Sequence, residues 1–301
     1  MLDAPFDDRD GVIWFNGRLI PWRDARLHVL SHGLHYGSCV FEGERAYGGR
    51  IFRLTEHSER LVGSAEMLDI ELPYSAGEID AACLATLAAA NLRDAYVRPV
   101  AWRGSEMMGV TATATRINVA IAVWEWPSYF TPEARLRGIR LGWADYRRPD
   151  PRTAPVHAKA AGLYMICTLS KHKAEANGCA DALMLDWRGR IAETTGANIF
   201  LVIGGELHTP TPDCFLDGIT RRTVIDLARK QGLTIIERAI MPEELERAEE
   251  VFITGTAAEV TPIAEIGEHR FQVGEVTRAL MEAYTALVND PAEGVPAVAA
   301  E

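Results

Sequence analysis

The run Val12-Ile13-Trp14-Phe15-Asn16-Gly17-Arg18-Leu19-Ile20 leaves this chain little freedom at its start. Asn-Gly readily adopts the positive φ angles of a type I′ turn, so the apolar runs on either side fold back as an antiparallel hairpin. A second hairpin is expected where Val40-Phe41-Glu42-Gly43-Glu44-Arg45-Ala46-Tyr47 passes through Gly48-Gly49 to Ile51-Phe52. Antiparallel sheet is therefore the framework onto which everything else must be fitted.

Helices punctuate that framework at readable places. Thr55 is a suitable N-cap for a helix carrying Arg60, Leu61, Ala65 and Leu68, on which Arg60 by itself reads as a snorkelling arginine. Ser75-x-x-Glu78 is a capping box opening a second helix toward Asn91. Residues 95–102 and 117–126 read as buried strands around a loop rich in Gly, Met and Thr. Residues 127–132 are the candidate interdomain linker. The second half offers a strand at 139–143, a helix at 161–177 stopped by Gly178, and strands at 182–186, 190–193 and 198–203. A helix at 220–231 ends at Gly232, short β runs lie at 235–236 and 251–253, and 277–288 is a final amphipathic helix. The Pro, Ala and Glu tail after Asn289 is expected to be disordered.

Composition excludes several functions. A formal net charge of −11 argues against a nucleic-acid surface. No apolar run approaches the roughly 20 residues that span a bilayer, and the acidic start resembles neither a signal nor a transit peptide. Cys39, Cys83, Cys167, Cys179 and Cys214 form no Cys-x-x-Cys pair and read as reduced packing thiols of a cytoplasmic protein. His28, His32 and His35 invite a metal, but no carboxylate stands at ligand spacing, so no metal site is assigned.

Chemistry concentrates elsewhere. Lys159 lies in Pro155-Val156-His157-Ala158-Lys159-Ala160-Ala161-Gly162, where a flexible cation has little local reason to be. A surface lysine in a small-residue loop is one reading; a buried amine with a lowered pKa, able to attack a carbonyl, is the other. Leu216-Asp217-Gly218-Ile219-Thr220 puts a glycine and a hydroxyl at a helix start, where free N–H groups suit a phosphate. Gly255-Thr256-Ala257-Ala258 offers small residues through which backbone amides can approach a ligand. Either is common as a structural turn. Glu193, at the end of an apolar strand, is a solvated strand-end acid or a carboxylate that keeps a pyridine nitrogen protonated. Together these suggest a phosphorylated cofactor attached through the lysine.

Ordered motifs sharpen that suggestion. Trp14-Phe15-Asn16-Gly17, Ser31-His32 through His35-Tyr36-Gly37, Val40-Phe41-Glu42-Gly43, Tyr96-Val97-Arg98-Pro99, Ala158-Lys159-Ala160, Gly218-Ile219-Thr220-Arg221 and Gly255-Thr256-Ala257-Ala258-Glu259 resemble, in family order, the fold-type IV aminotransferases that use pyridoxal 5′-phosphate (PLP). The similarity is strongest to the branched-chain amino acid aminotransferases. It implies an α/β (α+β) chain of two domains: a smaller one over 1–127, a linker over 128–137, and a larger cofactor domain over 138–290 that carries Lys159. Residues 291–301 would be the disordered tail, and the cofactor would lie in the cleft between the domains. By the same resemblance Lys159 carries the cofactor, Arg60 holds its phosphate, Tyr164 the ring oxygen and Glu193 the ring nitrogen. Gly196, Leu216, Gly218, Ile219, Thr220, Gly255 and Thr256 belong to the cofactor-binding turns. Tyr96 with Thr256, Ala257 and Ala258 matches the α-carboxylate site. Tyr36, Phe41, Trp126 and Tyr129 match the apolar pocket, and Arg98 the receiver of glutamate's second carboxylate. Met108-Gly109-Val110 resembles a loop lent to a neighbouring subunit, which implies a homodimer or larger assembly acting on amino acids and 2-oxo acids.

Three positions depart from the family pattern: Thr194-Thr195-Gly196-Ala197 after Glu193, Asp217 where proline is common, and Glu44 where an aliphatic residue is frequent. D-amino acid and (R)-amine transaminases share the fold, as do aminodeoxychorismate-type lyases. A PLP-binding protein without catalysis would lack Lys159, Tyr164 or Glu193.

Overall fold

The computed structural model describes residues 5–126 and 136–297. The residues group into two compact units. The first comprises Met1–Pro127 with Ala158–Gly162 and Pro291–Glu301; the second comprises Ser128–His157 and Leu163–Asp290. The expected linker and Tyr129 lie outside the described residues, apart from the linker's last two positions.

The opening hairpin forms in the expected register. Strands β1 (Val12–Phe15) and β2 (Arg18–Pro21) pair Phe15 with Arg18, and Asn16 takes φ 48 and Gly17 φ 95. After the short helix α1 (His32–Tyr36) come β3 (Cys39–Phe41), β4 (Glu44–Tyr47) and β5 (Arg50–Ile51). The expected single strand over 40–47 is broken at Glu42-Gly43. Both pieces pair with β6 (Ala95–Arg103), and the Glu42 amide donates to the Pro99 carbonyl at 2.8 Å. Strand β7 (Ile117–Glu125) pairs with β6 along its whole length.

Helices α2 (Leu54–Glu66) and α3 (Ala76–Ala90) accompany this sheet, and α3 packs on β1, β6 and β7. The buried positions Ile79, Ala82, Cys83, Thr86 and Leu87 recur with the spacing of one helix face. Both arms of the Ser75–Glu78 capping box are made. Helix α2 starts one residue before Thr55, because Arg53 takes a left-handed conformation there (φ 53); Thr55 Oγ1 instead donates to Asp80 Oδ2 at 2.6 Å.

The second unit holds a mixed sheet built from β8 (Ile139–Trp143), β9 (Asp181–Leu185), β10 (Ile191–Thr194), β11 (Asn198–Ile203), β12 (Glu206–Pro210), β13 (Ile235–Arg238), β14 (Glu250–Gly255), β15 (Glu259–Ile266) and β16 (His269–Arg270). Its order is β10-β9-β8-β15-β14-β11-β12-β13, and β10 also meets β11. Ile199, Leu201, Val251, Ile253 and Ile263 form its core. Helix α4 (Met165–Ala176) packs on β8 and β9. Helix α5 (Ile219–Lys230) packs on β13, β14 and α6 (Glu275–Asn289), which covers β14 and β15.

Two stretches differ from their sequence reading. Part of the expected tail is paired: β17 (Val295–Pro296) pairs with β5, and the Ala297 amide donates to the Gly49 carbonyl at 3.1 Å. The segment Ala158–Gly162 follows the second half in sequence but packs with the first unit. Phe41 N–H donates to the Lys159 carbonyl (3.1 Å), Lys159 N–H to Ser64 Oγ (3.0 Å), and Ala160 bridges Val40. Free backbone groups on β3 recruit it, since unpaired strand N–H and C=O groups demand partners. Among the described residues no helix is long and apolar enough to cross a membrane.

Candidate active site

The first unit gathers one group of expected site residues on a single sheet face. Arg45 stands opposite Tyr96 in the β4–β6 register, and Arg98 follows Tyr96 by two residues, so all three side chains share a face. Glu44 points to the other face, toward Cys83 and Asp80 of α3. The shared face is aromatic: Tyr96 lies 5.1 Å from Trp124 and 5.4 Å from Trp126, ring centre to ring centre. The Arg98 guanidinium sits 4.8 Å from the Phe41 ring and donates through Nη2 to the Tyr96 hydroxyl at 3.1 Å. Lys159 Nζ lies 5.1 Å from the same Phe41 ring. Lys159 is half-buried, between the buried Ala158 and Ala160, rather than enclosed as the sequence suggested. Gly43 is required here, because a Cβ would fall 1.9 Å from the Tyr96 hydroxyl.

Arg60 projects from α2 to a carboxylate that the sequence reading had not connected with it. Its Nε and Nη2 donate to the two oxygens of Glu42 at 2.6 and 2.8 Å, in fork geometry. His57 Nδ1 meets the same carboxylate at 2.7 Å, and the acceptor there makes Nδ1 the protonated nitrogen. Burial works against ionising Glu42, but Arg60 outweighs it and holds the carboxyl far below its ordinary range. Burial keeps His57 on the neutral side. Arg60 is thus fixed in place as a cation.

Tyr36 is half exposed and donates to the Met108 carbonyl at 3.1 Å, while His32 Nε2 meets the Gly109 carbonyl at 3.0 Å. Tyr36 is therefore tied to the Met108-Gly109-Val110 loop, in which Val110 is 83% exposed.

The second unit gathers the other group. Glu193 on β10 pairs with Asn198 on β11 across a tight turn, and Asn198 Nδ2 donates to Glu193 Oε2 (3.2 Å) and to the Leu216 carbonyl (3.0 Å). One amide thus links the acid to the turn that opens α5. A Cβ on Gly218 would meet Asn198 Oδ1 at 2.2 Å, which explains the glycine. Gly218 is the N-cap of α5 and makes no side-chain cap, so the helix begins at Ile219 and Thr220 with leading amides that its N-cap residue leaves unengaged. Gly255, Thr256, Ala257 and Ala258 connect β14 to β15, with Gly255 beside Gly196 and Ala197. Tyr164 is the N-cap residue of α4 and is partly buried.

The departures have local reasons. Thr194 N–H donates to the Ala197 carbonyl at 2.8 Å, and Thr195 Oγ1 to Asp181 Oδ1 at 2.5 Å, so the threonines pin the turn after Glu193. Asp217 pairs with the buried Arg221 at 2.8 Å. The sequence reading also missed Arg148, whose Nη2 lies 2.8 Å from Glu193 Oε1 with both side chains buried. No local pattern around Arg147-Arg148 marks it. Asp186, Asp213 and Cys214 lie close enough to share a cation, but Arg188 already bridges both aspartates, at 2.6 and 2.7 Å.

The first unit thus holds a lysine with arginines over aromatic rings, and the second a buried acid beside a helix start. Residues 39–266 match the amino-transferase class IV family, and the chain belongs to it. It is 42% identical to the branched-chain-amino-acid aminotransferase of Pseudomonas aeruginosa, over 95% of each chain. It is similar in structure to the branched-chain aminotransferase of Thermoproteus uzoniensis with norvaline (TM-score 0.90, 37% identity, covering 94% of this chain and 97% of that one). The PLP form of the Thermobaculum terrenum branched-chain enzyme superposes with TM-score 0.85 at 32% identity, covering 93% and 94%.

Proposed function

We propose that this protein is a PLP-dependent transaminase that moves the amino group between branched-chain L-amino acids and 2-oxoglutarate. The observation that carries the substrate class is the aromatic face of the first sheet. Arg45 and Arg98 stand there beside Phe41, Tyr96 and Trp126, and neither guanidinium has a carboxylate partner among the described residues. An apolar surface suits leucine-like chains, and an unneutralised guanidinium suits the second carboxylate of glutamate. One site must accept both.

The chain's residues fit the cofactor. Arg60, fixed by Glu42, and the leading amides of α5 at Ile219 and Thr220 are suited to its phosphate. Glu193 is suited to the ring nitrogen, Tyr164 to the ring oxygen and Lys159 to the aldehyde carbon. The bound cofactor supplies an electron sink that lowers the barrier to breaking the bond between substrate Cα and its hydrogen. With the cofactor bound, Lys159 Nζ would take the proton from substrate Cα as general base. Tyr96 and the Thr256-Ala257-Ala258 turn are each suited to the substrate α-carboxylate.

The assembly is a homodimer on this reading, supported by the exposed Leu34, Tyr36, Met108 and Val110. Five free cysteines suit the reducing cytoplasm.

Arg98→Met tests the substrate class. Hydrogen bonds to charged groups are worth about 1.5–3 kcal/mol each, so kcat/KM for glutamate should fall roughly ten- to a hundredfold or more. The leucine half-reaction should change much less. Single-turnover measurements of each half-reaction separate the two, and equal losses would remove Arg98 from the substrate site.

A further inference from the structure

Glu193 is 6% exposed, at the end of an apolar strand. A carboxyl in that position, left alone, would hold its own proton, because burial penalises the charged form. A neutral acid would then face a neutral ring nitrogen, and the ring would be a poor electron sink. The structure answers this with Arg148. Its Nη2 lies 2.8 Å from Glu193 Oε1, and the two side chains are 5% and 8% exposed. Asn198 Nδ2 donates to the other oxygen, Oε2, at 3.2 Å.

Arg148 is itself held. Its backbone N–H donates to the Leu185 carbonyl at 2.8 Å, its backbone bridges Asp186, and Nη1 approaches Cys167 Sγ at 3.3 Å. The titratable groups that act on it are Glu193, Cys167, Tyr164 and Cys214. Burial pushes Cys167 up to about 11 and Cys214 up to about 12, so both thiols stay neutral near pH 7. The ion pair with Glu193 is the one that Arg148 makes among the described residues. Its Nε has no hydrogen-bond partner among them, so the guanidinium is placed for the carboxylate at the expense of its own solvation.

We propose that Arg148 is a positioning residue that keeps the Glu193 carboxylate ionised and aimed, so that the cofactor's ring nitrogen holds the proton the two share. The inference rests on the PLP reading above. A full positive charge beside Oε1 makes the carboxylate less basic, so the shared proton would remain on the ring nitrogen of the bound cofactor. No proton is transferred to the acid. Without Arg148 the buried carboxyl becomes the more basic partner, and the same proton moves to it.

The test uses Arg148→Met, Arg148→Gln and Arg148→Lys, with Glu193→Gln as reference. In cofactor-free protein at pH 7.5, infrared difference spectra against wild type should show an added carbonyl stretch of a protonated carboxyl in R148M and R148Q, the constant band of the buried Glu44 subtracting out. That added band should be missing from R148K and from R148M carrying E193Q. In holoenzyme with ring-labelled [15N]PLP, the nitrogen resonance should report a protonated ring in wild type and R148K and an unprotonated one in R148M. The rate constant kcat should fall tenfold or more in R148M, with recovery in R148K. A protonated ring and no added carboxyl band in both neutral variants would overturn the proposal. If R148M does not fold, R148Q decides it by the same two spectra. Borohydride reduction that fails to label Lys159 in wild type would sink the cofactor reading instead, and the infrared arm would still decide Arg148.

Discussion

Glu42 and Glu44 are two residues apart, both fully buried, and opposite in charge state. Glu42 meets Arg60 and His57 and is held ionised. Neither oxygen of Glu44 has a hydrogen-bond partner among the described residues. Burial first, then the nearby Glu42 and Asp80, push its carboxyl well above the ordinary 4.5. The sign follows: the unfolded chain loses this proton near 4.5 while the folded protein keeps it, so stability falls as pH rises above 4.5 until the folded carboxyl itself titrates. Glu44→Leu removes the group and should stabilise the protein by about 1–3 kcal/mol near neutral pH. The gain in Tm over wild type should be smallest near pH 4 and widen toward pH 8. A gain that did not vary with pH would show that Glu44 titrates normally. For Glu42 the sign is reversed, its contribution being present above 4.5 and lost as pH falls through its depressed value.

At the scale of elements, the junction of β10, β11 and the start of α5 is held by one side chain, Asn198. Gly218 has φ −63 and ψ 139, a conformation any residue adopts, so its backbone does not require glycine. The requirement comes from Asn198 Oδ1, 2.2 Å from where a Cβ would stand. Gly218→Ala should therefore displace Asn198 and release Glu193 and the Leu216 carbonyl together. Overpacking of this kind costs roughly 1–3 kcal/mol. PLP affinity, measured by titrating cofactor-free protein, should fall with Tm. Adding Asn198→Ala restores the space, so the double variant should recover part of the Tm lost in Gly218→Ala; strictly additive losses would refute the collision.

For the whole molecule, the exposed apolar residues of the first unit are grouped. Leu34 is 65% exposed and Val110 83%, and the two lie on elements tied together by His32 and Tyr36. Such a patch favours burial against another copy. On the proposed homodimer reading, wild type should sediment at twice the chain mass and Leu34→Asp with Val110→Asp at the mass of one chain. A double variant that still sediments as a dimer would place the interface elsewhere.

Local signals in the sequence determined the Asn16-Gly17 hairpin, the Ser75–Glu78 capping box, the glycine stops at Gly178 and Gly232, and the ordered motifs that mark the family. Each depends on residues a few positions apart, where backbone preference and side-chain capping act without the rest of the chain. Tertiary structure alone decided the charge state of the buried acids. Glu42 and Glu44 are the same residue type in one short run, yet one is forked to Arg60, 18 residues away, while the other makes no ion pair among the described residues and feels Arg60 only weakly. Arg148 and Glu193 meet because β8 and β10 flank β9, and Asp186 just beyond β9 bridges Arg148. The segment carrying Lys159 left its sequence neighbours for the same kind of reason, drawn to the free backbone groups of β3. Ionisation of a buried group depends on which charges surround it in space, and sequence distance does not encode that.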